Sequence, residues 1–318
     1  MDEPTGKSRG ITDHPRAAAP GRRGRLGRPR LLIVGCGDIG RRIVSHLGRR
    51  WRVFGAVREA ASAQAVRRAG AIPLTVDLDD RSSLARLARL AKRVIVLAPT
   101  SGGGLRDLRS QHLLAALSGH GRMVYLSTSG VYGDRRGAWT DETAPARPRN
   151  DRAARRLDAE RRLRASAWHA AVLRVPGIYG PGRLPLQRLR ERIPAPLPQD
   201  DVITNHVHAD DLARAAIAAL FRGAPARVYN AVDDSCMALG EYLDRVADVA
   251  GLPRPPRMAR EPLREAAGAL RMSFMEESRR LRNARLKREL KFRLRYPDVE
   301  AGLAAMRDAA PAGGGSRA

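Results

Sequence analysis

From residue 31 onward the pattern of apolar positions switches repeatedly between two periods. Leu31-Leu32-Ile33-Val34 is a continuous apolar run, as expected of a strand buried on both faces. It runs into Gly35-Cys36-Gly37-Asp38-Ile39-Gly40, after which Ile43, Val44 and Leu47 fall on one helical face. Val53 to Val57 predicts a second strand, a helix-like stretch follows to Ala69, and Ile72 to Val76 predicts a third strand. Leucines at helical spacing among arginines predict a helix over 82–92, and Val94 to Leu97 a fourth strand. A helix over 105–118 then precedes a strand from Met123 to Leu126. The alternation continues with a helix over 151–166, a strand from Ala171 to Val175, a helix over 210–221 and a strand from Val228 to Ala231. Strands alternating with helices imply right-handed βαβ crossovers and a parallel sheet.

Outside this region the periodicity fails. Residues 1–29 are rich in Arg, Gly and Pro and predict a disordered basic tail, and 311–318 read the same way. A Pro/Gly-rich stretch over 176–201 and a mostly helical segment over 233–310 predict a smaller lobe beside the sheet. The sheet itself is expected from 30–175 and 202–232.

The composition, 43% hydrophobic, fits a folded globular chain. No apolar run approaches the ~20 residues of a membrane helix. No basic-then-apolar leader opens the sequence, so a cytoplasmic protein is expected. The net charge of +26 suggests nucleic acid at first sight. The only lysines are Lys7, Lys92, Lys287 and Lys291, so the charge is almost all arginine, and Ala, Gly and Pro are abundant. That bias is what GC-rich coding produces, and 4% aromatics offers few stacking platforms. A solvated arginine surface is therefore the preferred reading over nucleic-acid binding, though it would attract anionic ligands. Cys36 and Cys236 have no CxxC spacing, and neither a disulfide framework nor a metal site is implied.

Gly35-x-Gly37-x-x-Gly40 follows a strand and opens a helix. The first glycine suits a tight turn, the second lets backbone approach a pyrophosphate, and the third permits close helix–strand packing. The amides at the helix start, from Cys36 through Asp38 and Ile39, would meet the phosphate charge. In this setting the motif predicts a dinucleotide site. The fold class is therefore α/β: a Rossmann-type, doubly wound parallel sheet with a smaller, mostly helical substrate-side lobe. An acid at the end of the second strand would select NAD, whereas an arginine accommodates the 2′-phosphate of NADP. Arg58 holds that position, so NADP is preferred and NAD is the alternative. Asp77 and Leu78 end the third strand and Leu97, Ala98 and Pro99 end the fourth, where the cofactor should lie.

Four segments carry a family resemblance: the glycine loop, Leu126-Ser-Thr-Ser-Gly-Val-Tyr-Gly133, Leu173-Arg-Val-Pro-Gly-Ile-Tyr-Gly-Pro-Gly182, and Asn205-His-Val-His-Ala-Asp-Asp-Leu212. Val228-Tyr-Asn230 adds a weaker fifth. The chain resembles the extended short-chain dehydrogenase/reductases of the NAD-dependent epimerase/dehydratase type. The resemblance spans roughly residues 30–235 and implies a Ser/Thr hydroxyl that orients the substrate oxygen, here Thr128, with Ser127 and Ser129 as neighbours. Ser129 and Gly130 stand where sugar-nucleotide dehydratases of the family carry Asp and Glu, which argues against 4,6-dehydration. The family's Tyr-x-x-x-Lys is absent: counting from Glu160 puts Arg152 at the tyrosine position and Arg156 at the lysine position. The chain resembles the atypical subgroup that keeps the hydroxyl and lacks that pair.

An i, i+4 pair shares a helix face, so both arginines can face the cofactor. Arg156 can bind ribose hydroxyls. Arg152 stays protonated and cannot shuttle a proton, but can polarise a carbonyl or bind a carboxylate or phosphate. Tyr179, His206, His208 and Tyr132 are the remaining candidates for acid–base work. Two functions stay open. One is an NAD(P)-dependent oxidoreductase or epimerase acting on a small carbonyl or hydroxyl compound, with sugar nucleotides common among relatives. The other is a non-catalytic NADP(H)-binding redox sensor. The resemblance leaves a homodimer open.

Overall fold

The computed structural model describes residues 27–308, so most of the expected basic tail and all of 311–318 lie outside the described residues. Seven strands form one parallel sheet: β1 (Arg30–Val34), β2 (Arg52–Val57), β3 (Ile72–Thr75), β4 (Arg93–Val96), β5 (Arg122–Thr128), β6 (His169–Val175) and β7 (Val228–Asn230). Their spatial order is β7-β6-β5-β4-β1-β2-β3. Order reverses between β1 and β4, and ligands of such sheets bind at the strand ends beside that switch.

Alternating side chains explain how one sheet holds two cores. Leu31, Ile33, Val53, Ile95, Val124 and Leu173 pack on one face, against α1 (Asp38–Leu47) and α5 (Ala209–Arg222). Leu32, Val34, Phe54, Val94, Val96 and Met123 pack on the other. There they meet Leu113 of α3 (Leu108–Ala116) and Ala159 and Leu163 of α4 (Asp151–Arg164). Each fully buried leucine or isoleucine contributes roughly 1.5–3 kcal/mol, so the strands' apolar runs fix the register. Between β2 and β3, α2 (Ala63–Arg68) supplies Val66 to the first core.

The helix expected over 82–92 shrinks to one 3-10 turn, Ser83–Leu87. Polar side chains compete for its backbone. The Ser82 amide donates to Asp80 (2.9 Å), and the Ser83 hydroxyl donates to the Asp77 carbonyl (2.7 Å). Arg89 then turns left-handed, at φ +53°. Leu84 and Leu87 still reach the core.

Past β6 the chain forms the second layer. Gly177–Tyr179 pairs in parallel with His206–His208, and Ile203–Thr204 pairs antiparallel with Met237–Ala238. Its longer helices are α6 (Leu239–Ala250), α7 (Arg260–Met275) and α8 (Val299–Asp308). Tyr179, Leu243, Val246, Val299 and Leu303 make a core of their own. Leu286, Leu290 and Phe292 lie within the segment expected in the lobe, yet they pack into the first core of the sheet.

Candidate functional site

The glycine loop sits at the carboxyl end of β1. Gly35 and Cys36 both donate backbone N–H bonds to the Ala56 carbonyl, at 3.0 and 2.9 Å, which ties the loop to β2. Gly35 has φ +84°, and a Cβ there would lie 2.6 Å from the Ala98 amide nitrogen, so only glycine fits. A Cβ on Gly37 would meet nothing within 4 Å and would project into open space. A Cβ on Gly40 would press on Cys36 Sγ at 3.1 Å and Ile33 Cγ2 at 3.2 Å. Gly55 on β2 leaves room from the other side, since its Cβ would lie 2.9 Å from the same sulfur. Burial pushes the Cys36 thiol up to about 11, although Arg41 opposes the rise. No side chain caps α1, so its first amides are left for a ligand.

These loop residues take different parts. Gly35 and Gly37 line a cleft of about 430 Å³. Cys36, Ile39 and Gly40 are buried beneath it. Asp38 points its carboxylate at Arg42 (3.1 Å) and Arg183 (2.6 Å). Burial opposes its ionisation, but those guanidinium groups outweigh it and hold the carboxyl below its usual range. Arg42 also bonds Asp210 (2.7 Å) and the Pro181 carbonyl (3.1 Å). The loop is thereby tied to the start of α5 and to the connection after β6.

Every strand-end residue expected beside the cofactor lines the same cleft: Arg58, Asp77, Leu78, Leu97, Ala98 and Pro99. Arg58 pairs with Glu59 at 3.2 Å, with both side chains exposed. Asp77 accepts from the Asp79 amide at 2.9 Å, closing its own turn. Glu59, Ser62 and Arg109 are polar lining residues outside the sequence expectation. Arg109 is fixed by Asp79 at 2.6 and 2.8 Å. No local spacing marks them: Glu59 and Ser62 follow β2, and Arg109 reaches the cleft from the first turn of α3.

A second cleft, of about 260 Å³, opens where β5 ends. Thr128 and Ser129 line it. The Thr128 oxygen accepts from the Gly130 amide (3.1 Å), and its hydroxyl proton has no acceptor among the described residues. Arg152 lines this cleft from the first turn of α4, and Asn150 caps the helix by accepting from the Ala153 amide at 2.9 Å. Arg156 sits between the two clefts. Its Nη1 donates to the Ala98 carbonyl (3.2 Å), the Tyr125 hydroxyl (3.0 Å) and the Leu126 carbonyl (2.9 Å). Its Nε and Nη2 have no partner among the described residues.

The acid–base candidates separate cleanly. Tyr179 is fully buried and donates to the Asp298 carbonyl at 2.9 Å. Gly302 makes room for it, since a Cβ there would lie 2.4 Å from the Tyr179 oxygen. Tyr179 packs in the core of the second layer and lines neither cleft. Tyr132 donates to Asn230 Oδ1 at 2.8 Å beneath the Arg174 guanidinium, and His208 accepts from the Asp210 amide at 3.2 Å as the cap of α5. His206 alone of the four lines the second cleft. Its ring stacks on Tyr242 at 4.0 Å, and burial pushes it down to about 3, so it is neutral at pH 7. Tyr242, Glu277 and Arg279 join it from distant parts of the chain. Glu277 pairs with Arg279 at 2.7 Å.

A seven-stranded parallel sheet in this order, with a glycine loop at its switch point and no side-chain cap on α1, defines a Rossmann-type α/β protein. The family model described as NAD dependent epimerase/dehydratase family matches residues 31–231, and the chain belongs to that family. A functionally unknown conserved protein from Silicibacter pomeroyi is 30% identical, with TM-score 0.74, over 88% of this chain and 98% of that one. A UDP-glucose 4-epimerase from Thermus thermophilus, solved with NAD, is 23% identical over 88% and 98% of the two chains, with TM-score 0.67. A dTDP-glucose 4,6-dehydratase from Streptomyces venezuelae, also with NAD, is 21% identical over 88% and 96%, with TM-score 0.72. At that identity the last two show a shared fold. No curated protein matches the chain. Among the described residues no helix is long and apolar enough to cross a membrane.

Proposed function

We propose that the protein is an NADP(H)-dependent oxidoreductase or epimerase acting on a carbonyl or hydroxyl compound. The observation that carries this reading is the open space in front of Gly37, facing a cleft that also receives Arg58. Cofactor family and cofactor cradle agree there, and the α1 amides suit a diphosphate. Arg58 favours NADP because its pair with Glu59 is exposed. Such pairs contribute about 0–1 kcal/mol, so the guanidinium can turn to a 2′-phosphate at little cost.

A bound nicotinamide would supply hydride acceptance or donation. The chain's own groups would do the rest. The unbonded nitrogens of Arg156 suit ribose hydroxyls, and its anchored Nη1 sets its position at the ends of β4 and β5. Thr128, whose oxygen is already engaged, has its proton free for a substrate oxygen, with Ser129 beside it. Arg152 can polarise a carbonyl but cannot move a proton. His206, neutral and buried, is the histidine placed in the second cleft.

The test is calorimetric titration with NADP+, NADPH, NAD+ and NADH. Binding of the phosphorylated pair is expected to be tighter, with Arg58→Asp reversing the preference and Gly37→Asp abolishing binding. Failure of all four nucleotides to bind overturns the reading. The redox-sensor reading is favoured by one observation, the arginines at 152 and 156. It predicts tight NADP(H) binding with no hydride exchange. Turnover of a carbonyl substrate that is lost in Thr128→Ala rejects it.

A further inference from the structure

A third cavity, of about 550 Å³, opens at the edge strand β7 and shares no lining residue with either cleft. Five arginines line it. Arg161 and Arg164 come from the last turn of α4, Arg174 from β6, Arg227 from the entry to β7 and Arg285 from the short helix Ala284–Glu289. Glu142 is the one carboxylate among the described residues of the lining. Leu157, Arg161 and Arg164 stand at i, i+4 and i+7, so a single stripe of α4 faces the cavity.

Three of the five charges are answered. Glu160 holds Arg174 at 2.7 Å, Glu289 accepts from Arg227 at 3.0 Å, and Glu142 stands 3.5 Å from Arg285. Arg161 and Arg164 have no carboxylate partner among the described residues. Arg164 gives its Nε to the Ala226 carbonyl (2.8 Å), and the side chain of Arg161 bonds to no described residue. Arginines nearby and elsewhere do find acids: Arg162, next along the same helix, meets Asp158 at 3.2 Å, and Arg254 meets Asp248 at 2.8 Å. The cavity carries a second mark. Ala226 holds φ +56°, a left-handed setting that strains a residue with a Cβ, and strain of this kind gathers at ligand sites. The same turn presents the carbonyl that fixes the Arg164 guanidinium at the cavity rim.

An excess of fixed positive charge in a concave site takes up anions. Two unanswered charges three residues apart on one helix stripe suit a compact dianion. A phosphomonoester carries about two negative charges near neutral pH and has three acceptor oxygens for guanidinium forks. A phosphodiester carries one charge and would leave the other arginine unmatched. We propose that this cavity is a phosphomonoester-binding site, separate from both clefts, in which Arg161 and Arg164 hold the phosphoryl group. Its ligand is a small phosphorylated compound or free phosphate, and not the backbone of a nucleic acid. The proposal is independent of the cofactor reading of the first cleft.

The probes are methyl phosphate, a monoester, and dimethyl phosphate, which copies one nucleic-acid linkage. Each is titrated into the full-length protein at constant ionic strength and about pH 8, where the monoester is a dianion. Phosphorus NMR line widths report the bound fraction. Methyl phosphate is expected to bind at least about fivefold more tightly than dimethyl phosphate. Arg161→Gln and Arg164→Gln should each weaken it by about tenfold, and the double variant should erase the difference between the probes. Inorganic phosphate that binds as tightly as methyl phosphate identifies the free ion as a sufficient ligand, whereas a weaker phosphate identifies the ester. Both arginines are exposed, so the variants should keep the wild-type circular dichroism melt. Arg58→Asp, in the first cleft, should leave methyl phosphate affinity within about twofold, because the two sites share no residue. Loss of binding in Arg58→Asp would place the ion in the first cleft and overturn the proposal. So would equal binding of the two probes, undiminished binding in the double variant, or no binding up to about 10 mM methyl phosphate. Failure of the nicotinamide nucleotides to bind would strike the cofactor reading alone, since no step of this test uses them.

Discussion

Asp233 offers a sharp test of the electrostatics beneath the second layer. It follows β7, is 2% exposed, and accepts from the Ser235 amide at 2.9 Å. Its Oδ2 is buried with no partner among the described residues. Burial is the main cause that pushes its carboxyl from the ordinary 3.8 up to about 8, and the Asp234 and Asp298 charges add to the rise. The unfolded chain loses this proton near pH 4, whereas the folded chain keeps it to about pH 8. Between those values the native state binds the extra proton, so stability falls as pH rises.

Each tenfold change in proton affinity corresponds to about 1.36 kcal/mol, and the four or so decades here set a ceiling of about 5–6 kcal/mol. Relaxation and water entry lower such penalties, so about 2–3 kcal/mol is expected. Asp233→Asn copies the protonated acid and keeps the Ser235 bond. The variant should match wild type near pH 4.5 and exceed it by about 2–3 kcal/mol near pH 8.5. Urea denaturation at both pH values measures this. Comparing variant with wild type at each pH cancels other groups, including His206, whose depressed value makes stability rise with pH between about 3 and 6.5. A difference that is the same at both pH values, or a variant less stable at pH 8.5, refutes the argument.

Other outcomes follow from the geometry. Gly35→Ala forces a methyl to 2.6 Å from the Ala98 nitrogen at a positive φ, and should cost about 1–3 kcal/mol in a urea melt. Gly37→Ala meets no atom within 4 Å and should change stability by less than about 0.5 kcal/mol. It should still weaken NADP+ binding, and an unchanged affinity would mean the diphosphate lies elsewhere. Glu160 and Arg174 form a buried ion pair at 2.7 Å. Glu160→Gln strands the guanidinium and should cost about 3–5 kcal/mol while leaving NADP+ affinity intact. A loss below about 1 kcal/mol in chemical denaturation would show that the pair is hydrated.

The sheet was legible because its strands are apolar on both faces, so Leu31 to Val34 could hardly be anything else. The glycine loop and the strand ends from Arg58 to Pro99 were legible for the same reason, since a parallel sheet puts successive strand ends on one edge. Tyr179 shows where local reading stops. Gly177 and Ile178 do line the second cleft, but Tyr179, at the end of the same short strand, is turned into the core under α8. The arginine pair was half legible: a shared helix face brings 152 and 156 to the same side, but only the packing of α4 against β5 and β6 puts Arg152 in the second cleft and leaves Arg156 bonded to the Ala98 and Leu126 carbonyls. Tyr242, Glu277 and Arg279 carry no pattern at all, because two separate segments deliver them, α6 and the stretch after α7. The helix expected at 82–92 failed where Asp80, Ser82 and Ser83 offered the backbone better partners than its own carbonyls.

The wedge of Cys36 between two glycines carries a lesson for anyone altering cofactor affinity. The height of the first cleft's floor is set from below, by one sulfur atom seated in a notch cut from a neighbouring strand and a neighbouring helix. A bulkier residue at 36, 40 or 55 would lift that floor like a shim under a table, with no change to any atom a nucleotide touches. The same seat shields the thiol from alkylating reagents, so chemical labelling should find Cys236 and pass over Cys36 until the protein unfolds.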